Sequence, residues 1–207
     1  MNELSKEIPS EFPIMEHFYT LQGEGFHAGR SAYFVRLGGC DVGCVWCDVK
    51  ESWDATQHNS MSVDKIVNEI KKSKTDFVVI TGGEPAMYNL TALVDILHEN
   101  KFEIAIETSG CYSLQGAIDW YCFSPKKFKK PVDEAYQKAN ELKVVIFHPS
   151  DLQWAEEHSL KVNTNCKLYL QPEWSKSETL LPLIIEYVKQ NPKWKLSLQT
   201  HKYLNIP

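Results

Sequence analysis

The residues with the most distinctive chemistry are three closely spaced cysteines, Cys40, Cys44 and Cys47. Thiolates are soft ligands that select iron–sulfur clusters, zinc or copper(I). Three thiolates in one loop would leave one iron of a [4Fe-4S] cluster without a protein ligand, and that iron would be open to a substrate. On spacing alone, the alternative is a structural zinc site in which His58 supplies the fourth ligand.

A second motif, Gly82-Gly83-Glu84, follows an apolar run at residues 77–80. Glycine lets the backbone approach a neighbouring group closely, and a glutamate accepts hydrogen bonds from an ammonium group. The motif therefore predicts a ligand-binding turn at the end of a buried strand.

Apolar runs that alternate with amphipathic segments predict the elements that position these residues. The predicted strands cover residues 31–37, 77–80, 103–107, 121–123, 143–147, 167–170 and 195–198. The predicted helices have N-caps at Ser62, Asn89 and Ser177 or cover residues 132–139 and 151–158. Residues 14–30 contain three glycines and are predicted to form a loop.

This alternation indicates an α/β fold with a parallel sheet of about six to seven strands. Right-handed crossovers would curl the sheet into a full or partial barrel or leave it open. Segments that are polar, glycine-rich or proline-containing follow five of the strands, at residues 81–84, 107–110, 124–126, 171–172 and 199–201. Because the carboxyl ends of parallel strands share one edge, we expect these segments to converge on one site.

The composition describes an ordinary globular chain. It has 207 residues, 43% of them hydrophobic, which predicts a single domain over 1–207. The net charge is −5, and no basic tract suggests a nucleic-acid partner. No apolar run approaches the roughly 18 residues that span a bilayer, and residues 1–12 lack the apolar core of a signal peptide. We therefore expect a cytoplasmic protein with no membrane partner.

The cysteine spacing, the aromatic Trp46 before the last cysteine and the Gly-Gly-Glu turn together resemble the radical S-adenosylmethionine (SAM) superfamily. The resemblance implies that Cys40, Cys44 and Cys47 hold a [4Fe-4S] cluster and that the free iron binds SAM. One electron from the cluster would then cleave SAM to a 5′-deoxyadenosyl radical. With the Gly-Gly-Glu turn included, a zinc site is disfavoured.

Flanking motifs narrow the resemblance to the 7-carboxy-7-deazaguanine synthase family. The matching segments are residues 18–25, 34–40, 46–48, 79–85, 106–110, 124–126 and 198–207. The most specific are Leu21-Gln22-Gly23-Glu24-Gly25 and Gln199-Thr200-His201-Lys202-Tyr203. The resemblance implies a homodimeric partial TIM-like (β/α) barrel of the radical SAM type.

The same resemblance implies a carbon–nitrogen lyase of queuosine biosynthesis. Its reaction converts 6-carboxy-5,6,7,8-tetrahydropterin into 7-carboxy-7-deazaguanine with release of ammonia. Hydrogen abstraction from C6 of the pterin would begin a ring contraction, after which SAM is regenerated. A flavodoxin-type protein would donate the electron. A glycyl-radical-enzyme activase is the alternative enzyme, and a zinc-stabilised binding module is the alternative from another class.

Residue roles also follow from the resemblance. The SAM site would comprise Gly83, Glu84, Ser124, Pro125, Lys126, Gln171, Pro172, Glu173 and Trp174. The pterin site would comprise Leu21, Gln22, Gly23, Arg36, Thr81 and Pro207, with Arg36 pairing with the substrate carboxylate. The sequence leaves open the roles of His17, His201, Cys111, Cys122 and Cys166, although these three cysteines are expected to be buried thiols.

One position departs from the family pattern. Members of the family bind Mg²⁺ beside the substrate through a hydroxyl two residues after the last cysteine, whereas this chain has Val49 there. Valine has no side-chain oxygen, and Mg²⁺ requires oxygen ligands. The resemblance therefore implies Mg²⁺ as a cofactor, and the residue at the site argues against it.

Overall fold

A computed structural model describes residues 8–207, and within them the chain forms nine strands and six α-helices. The strands are β1 (Glu11–Leu21), β2 (Ser31–Leu37), β3 (Ser60–Ser62), β4 (Phe77–Gly82), β5 (Glu103–Thr108), β6 (Trp120–Phe123), β7 (Glu141–Ile146), β8 (Lys167–Pro172) and β9 (Trp194–Leu196). The helices are α1 (Val63–Ile70), α2 (Thr91–Glu99), α3 (Asp133–Lys138), α4 (Asp151–Ser159), α5 (Ser177–Gln190) and α6 (Thr200–Leu204). Residues 1–7, on which the signal-peptide prediction partly rests, lie outside the described residues.

All nine strands belong to one open sheet with the order β3-β1-β2-β4-β5-β6-β7-β8-β9. The seven strands β2 and β4–β9 are parallel to one another, which confirms the predicted parallel sheet. The structure contains two further strands that were not predicted. β1 pairs with β2 and β3 pairs with β1, both in antiparallel orientation. The sheet is therefore mixed at one edge and parallel everywhere else.

The predicted loop over residues 14–30 is wrong, because β1 continues to Leu21. The three glycines all follow Leu21, so the actual loop is confined to residues 22–30. In that loop Phe26 stacks on Trp120 with ring centroids 4.6 Å apart, and Arg30 pairs with Glu103 at 2.7 Å. These partners lie at the first residues of β6 and β5, so the loop covers the amino-terminal end of the sheet.

Helices α1–α5 cover one face of the sheet, and the pattern of buried residues explains why. Helix α1 begins after Ser62, whose side chain accepts the Lys65 amide as predicted, and it buries Val63, Ile66, Val67 and Ile70. In β4, Val78 and Ile80 join the large core beneath the helices, whereas Phe77 and Val79 join a smaller apolar cluster on the opposite face. A strand that is apolar on both faces is typical of a parallel sheet covered on both sides.

The predicted N-caps of α2 and α5 agree less well with the structure than the predicted strands do. The Asn89 carboxamide does accept the amide of Thr91 at 3.1 Å, although Leu90 occupies the cap position of α2. Ser177 is the first residue of α5 rather than its N-cap. Within residues 8–207 no helix has the length and apolar character needed to cross a membrane.

Candidate active site

A cavity of about 250 Å³ opens at the carboxyl ends of the parallel strands. All five predicted polar segments contribute to its wall, through Thr81, Glu107, Ser124, Gln171 and Gln199 among others. The predicted convergence is therefore confirmed, because parallel strands bring the residues that follow them to one edge of the sheet.

The cysteine loop follows β2 and forms one wall of the cavity. Its ends are held by the returning chain, since the Gly39 amide donates to the Ser52 carbonyl at 2.6 Å and the Cys40 amide to the Trp53 carbonyl at 3.1 Å. The Asp41 carboxylate pairs with Lys129 at 2.6 Å and accepts a hydrogen bond from the Tyr112 hydroxyl. These contacts fix the loop at its base while the three thiols face the cavity.

The Gly-Gly-Glu turn packs directly on the start of the cysteine loop. The Gly83 amide donates to the Leu37 carbonyl at 3.0 Å, and the Glu84 amide donates to the Gly39 carbonyl at 2.9 Å. A Cβ atom on Gly83 would lie 2.2 Å from the Gly39 oxygen, and Gly82 has a φ of +143°. Both positions therefore require glycine, because a side chain would separate the turn from the loop.

Glu84 is 1% exposed, and its carboxylate accepts hydrogen bonds from four nitrogen and oxygen donors of this chain and from the Cys111 thiol at 4.0 Å. One oxygen accepts the Ala86 amide at 3.0 Å and the Thr108 hydroxyl, and the other accepts the Ser109 amide at 2.8 Å and the Ser109 hydroxyl. Glu84 thus ties the end of β4 to the end of β5. Its predicted contact with an ammonium group stays a prediction.

The three thiols provide the donor set that an iron–sulfur cluster needs, on a loop that borders the cavity. Burial raises the pKa of Cys44 to about 11, with a further rise from Cys47 and Cys40 that Lys126 opposes. The Cys44 thiol must therefore lose its proton when iron binds. Among residues 8–207 no three His, Cys, Asp or Glu side chains already stand in metal-binding geometry, so the fit rests on the donor set and its position.

An ionic network around the buried Lys143 forms a second part of the cavity wall, and the sequence did not predict it. The Lys143 side chain is 4% exposed, donates to Glu24 and lies 3.5 Å from Glu107. The Gln199 amide donates to Glu24 at 2.8 Å, and the Gln22 amide donates to Glu107 at 3.0 Å. One ammonium therefore serves two carboxylates at the cavity.

The charge state of this network follows from its contacts. Burial alone would raise the pKa of Glu24, but the Lys143 charge and the hydrogen bonds from Lys143 and Gln199 outweigh burial and lower it to about 2. Glu24 is thus ionised at neutral pH. The signal that could have found the network is Lys143 itself, a charged residue within an apolar strand.

A third part of the cavity wall comes from the β1–β2 pair. Phe18 and Phe34 stack with ring centroids 5.4 Å apart, and Arg36 lies two residues beyond Phe34. The Arg36 Nε donates to a carboxylate oxygen of Glu16 at 2.6 Å. The wall therefore offers a flat apolar surface beside a guanidinium group.

The carboxyl-terminal segment closes the cavity beside the cysteine loop. The Thr200 amide and hydroxyl both donate to the Gly23 carbonyl at 2.9 Å, and Lys202 pairs with Asp48 at 2.7 Å. The Thr20 hydroxyl donates to the Pro207 carbonyl at 3.2 Å, which holds Pro207 at the cavity. Burial lowers the pKa of His201, which packs on Gly23.

The structure brings together nearly every site residue that the sequence predicts. The cavity is lined by Leu21, Gln22, Gly23, Arg36, Cys40, Cys44, Cys47, Val49, Thr81, Gly83, Glu84, Ser124, Lys126, Gln171, Pro172, Glu173, Trp174 and Pro207. Pro125 lies outside this lining. His201 lines the cavity, whereas His17 bonds to the Tyr33 hydroxyl at 2.7 Å outside it.

The remaining cysteines differ in their surroundings. Cys111 is buried and packs with Val42 and Cys44 against the cysteine loop. Cys122 is buried within β6, and Cys166 is partly buried. The expectation of buried thiols is therefore confirmed for Cys111 and Cys122 and holds only in part for Cys166.

Comparisons with known proteins agree with this geometry. Residues 34–120 match the family model of the radical SAM superfamily. The 7-carboxy-7-deazaguanine synthase of Flavobacterium psychrophilum is 54% identical over 206 residues, which cover 99% of this chain and 97% of that protein. The synthase of Synechocystis sp. is 45% identical over 206 residues, covering 100% of this chain and 99% of that protein.

A solved structure extends the likeness to three dimensions. The crystal structure of QueE from Escherichia coli matches with a TM-score of 0.83 and 31% identity, covering 91% of this chain and 93% of that chain. The thiol loop, the Gly-Gly-Glu turn and the near full-length identity agree, and this chain belongs to the 7-carboxy-7-deazaguanine synthase family of the radical SAM superfamily.

Proposed function

We propose that this chain converts 6-carboxy-5,6,7,8-tetrahydropterin into 7-carboxy-7-deazaguanine with release of ammonia, in queuosine biosynthesis, and uses SAM as a regenerated cofactor. The observation that carries the proposal is that one cavity joins the three-thiol loop to a wall of charged and hydrogen-bonding side chains. When bound, the [4Fe-4S] cluster and SAM of this superfamily supply one-electron chemistry at the thiol loop.

The residues on the cluster side suit SAM. Lys126 donates to the Ser124 hydroxyl at 2.7 Å and lies 5.1 Å from the Trp46 ring, so it brings a cation beside the cysteine loop. Gly83 leaves backbone exposed at the turn. We assign SAM binding to this side, through Gly83, Glu84, Ser124, Pro125, Lys126, Gln171, Pro172, Glu173 and Trp174.

The residues on the other side suit a pterin that bears a carboxylate. A pterin ring is flat and has hydrogen-bond donors and acceptors along its edge, and the Phe18–Phe34 stack offers a flat apolar surface. Arg36 offers a guanidinium for the carboxylate. We assign substrate binding to Leu21, Gln22, Gly23, Arg36, Thr81 and Pro207, supported by the ionic network of Glu24, Lys143 and Glu107.

Mg²⁺, which the resemblance implies, does not fit the residues at its expected position. Val49 presents no side-chain oxygen to the cavity, and the Asp48 carboxylate is paired with Lys202. The Ser52 hydroxyl donates to the Val49 carbonyl at 2.7 Å. The side chains at this position therefore do not supply the several oxygen ligands that a hard cation needs.

The partners and location of the protein stay predictions. We propose a homodimer, reduced by a flavodoxin-type donor in the cytoplasm, on the strength of the family resemblance. The alternative functions are not favoured. A glycyl-radical-enzyme activase gives no reason for the substrate-side motifs, and the relatives that match over nearly the full length are synthases.

The proposal is tested by anaerobic incubation of reconstituted protein with SAM, a reductant and the carboxytetrahydropterin. The expected result is a brown protein with about four irons and four sulfides, and mass detection of 7-carboxy-7-deazaguanine. A colourless zinc protein would contradict the cluster. A loaded cluster that cleaves SAM without forming the deazaguanine would contradict the substrate assignment.

A further inference from the structure

Strand β1 changes face between Ile14 and Glu16. Ile14 pairs with Leu37, whereas Glu16 pairs with Arg36, so Met15 is an extra residue in β1. Without this bulge, continuing the Ile14–Leu37 register would place Met15 opposite Arg36. A one-residue shift moves side chains to the other face of a sheet, and bulges next to active sites often redirect a side chain in this way.

The residues of β1 before and after the bulge pack on opposite faces of the sheet. Ile14 and Leu37 belong to the large core beneath the helices. Beyond the bulge, Phe18 packs with Phe34 in the cluster on the opposite face, and both residues line the cavity. Glu16 therefore stands on the cavity face of the sheet, directly opposite Arg36.

The contact between Glu16 and Arg36 leaves part of the Arg36 guanidinium available to bind a ligand. Glu16 accepts from the Arg36 Nε at 2.6 Å. The two terminal nitrogens of Arg36 have no hydrogen-bond partner among residues 8–207, and Arg36 lines the cavity while Glu16 does not. A guanidinium held by its Nε still presents a two-nitrogen fork that matches a carboxylate.

We propose that Glu16 is a positioning residue that holds the Arg36 fork toward the substrate carboxylate, and that the bulge at Met15 exists to place it there. The inference rests on the proposed function, because it assumes that Arg36 binds the substrate carboxylate. Holding a flexible side chain in its binding geometry lowers the entropy cost of binding. Glu16 touches neither the cavity nor the substrate and acts through Arg36.

The test measures binding of two ligands to the reconstituted holoenzyme with SAM. One ligand is the carboxytetrahydropterin and the other is tetrahydropterin without the carboxylate. We expect Glu16→Ala to weaken binding of the first ligand roughly 10-fold, the size of a coupling between residues in contact, and to change the second by less than about two-fold. Glu16→Gln keeps an acceptor oxygen and should lose about three-fold. In turnover, KM should rise more than kcat falls.

A matched control is Glu11→Ala, which removes an exposed carboxylate from the same strand, far from Arg36. It should leave both ligands unaffected. Tighter binding of the carboxylated ligand to Glu16→Ala would overturn the proposal, since Glu16 would then compete with the substrate for Arg36. Equal weakening of both ligands would also overturn it, because the role would be structural.

An Arg36→Ala variant separates this inference from the proposed function. If Arg36→Ala removes the preference for the carboxylated ligand and the Glu16 variants retain it, only the positioning role fails. If the parent protein forms the deazaguanine and Arg36→Ala still prefers the carboxylated ligand, the assignment of Arg36 fails and the role of Glu16 fails with it.

Discussion

Two walls of the cavity differ in whether their ionisable side chains already have partners within the chain. The thiol wall, formed by Cys40, Cys44 and Cys47, consists of one buried and two half-buried thiols, and burial raises the pKa of Cys44 to about 11. The ionic wall, formed by Gln22, Glu24, Glu107, Lys143 and Gln199, consists of buried and half-buried groups that are already paired within the chain. The thiols of the first wall would gain their partner only when iron binds, whereas the groups of the second wall are already paired within the chain.

This difference indicates a separate role in ligand binding for each wall. Deprotonation of the thiols is linked to metal binding, so the thiol wall is organised together with its cofactor. The ionic wall carries the desolvation cost of its charges in the folded chain, and it offers a fixed pattern of donors and acceptors before the substrate arrives. Substitutions should therefore affect chemistry on one wall and stability on the other.

The largest effect is expected at the thiol wall. Cys44→Ala should abolish SAM cleavage because the cluster loses a ligand, while the fold is retained because the chain provides the other contacts of the loop. Iron content measures the loss of the cluster, a SAM cleavage assay measures the loss of activity, and circular dichroism measures whether the fold is retained. Cys166→Ala is the matched control, since Cys166 lies outside the cavity lining. Full cleavage activity with an equally loaded cluster would refute the ligand assignment.

The next effect concerns the ionic wall. Lys143→Met leaves the carboxylates of Glu24 and Glu107 buried without their cation, and breaking a buried pair this way costs about 3–5 kcal/mol of unfolding free energy. Chemical denaturation at pH 7 measures the change. Lys189→Met serves as control because its pair with Glu186 is exposed, so a change within about 0.5 kcal/mol is expected. A loss below about 1 kcal/mol in Lys143→Met would show that the wall is not held by this ion pair.

A related effect is a loss of stability in acid. The pKa of Glu24 falls from an ordinary 4.5 to about 2 on folding, so its contribution is complete above pH 4.5 and is lost as the pH falls toward 2. The contribution is roughly 3 kcal/mol at most. Unfolding free energies measured from pH 6 to pH 2 should therefore fall more steeply in the parent than in Glu24→Gln. Equal slopes would contradict the ionised state of Glu24.

The smallest effect is expected at Val49, two residues beyond the last cysteine. Val49→Thr adds the side-chain oxygen that the family uses for Mg²⁺, and turnover of this variant should respond to Mg²⁺ more than turnover of the parent. The increase should be a few-fold, the size of one added polar contact. Val45→Thr, at an exposed position of the cysteine loop, is the control. Strong and identical stimulation of the parent and Val49→Thr would show that the side chain is not the determinant.

The sequence predicts the thiol wall better than the ionic wall, for physical reasons. The cysteines, Gly82 and Gly83 reveal their roles through local spacing and through the lack of a side chain where backbones approach closely. Lys143 does not reveal its role locally, because its partners Glu24 and Glu107 lie far away in sequence and contact it only when the sheet forms. A lysine inside an apolar strand is the one local trace of that network.

The antiparallel edge shows the same limit. The glycines after Leu21 suggest a loop, and the alternation of β1 is interrupted by the bulge at Met15. The register that sets Glu16 opposite Arg36 depends on pairing with β2, which no local pattern contains. The seven parallel strands, by contrast, are predicted because each is a short apolar run, and five of them are followed by polar turn segments.

The central claim is that the two walls hold SAM and the pterin in one cavity, where SAM is regenerated in each turnover. The most direct test is the ratio of deazaguanine formed to SAM consumed by the reconstituted protein under anaerobic conditions. The account predicts many molecules of product for each SAM consumed. A ratio of one, or consumption of SAM without deazaguanine, would contradict it.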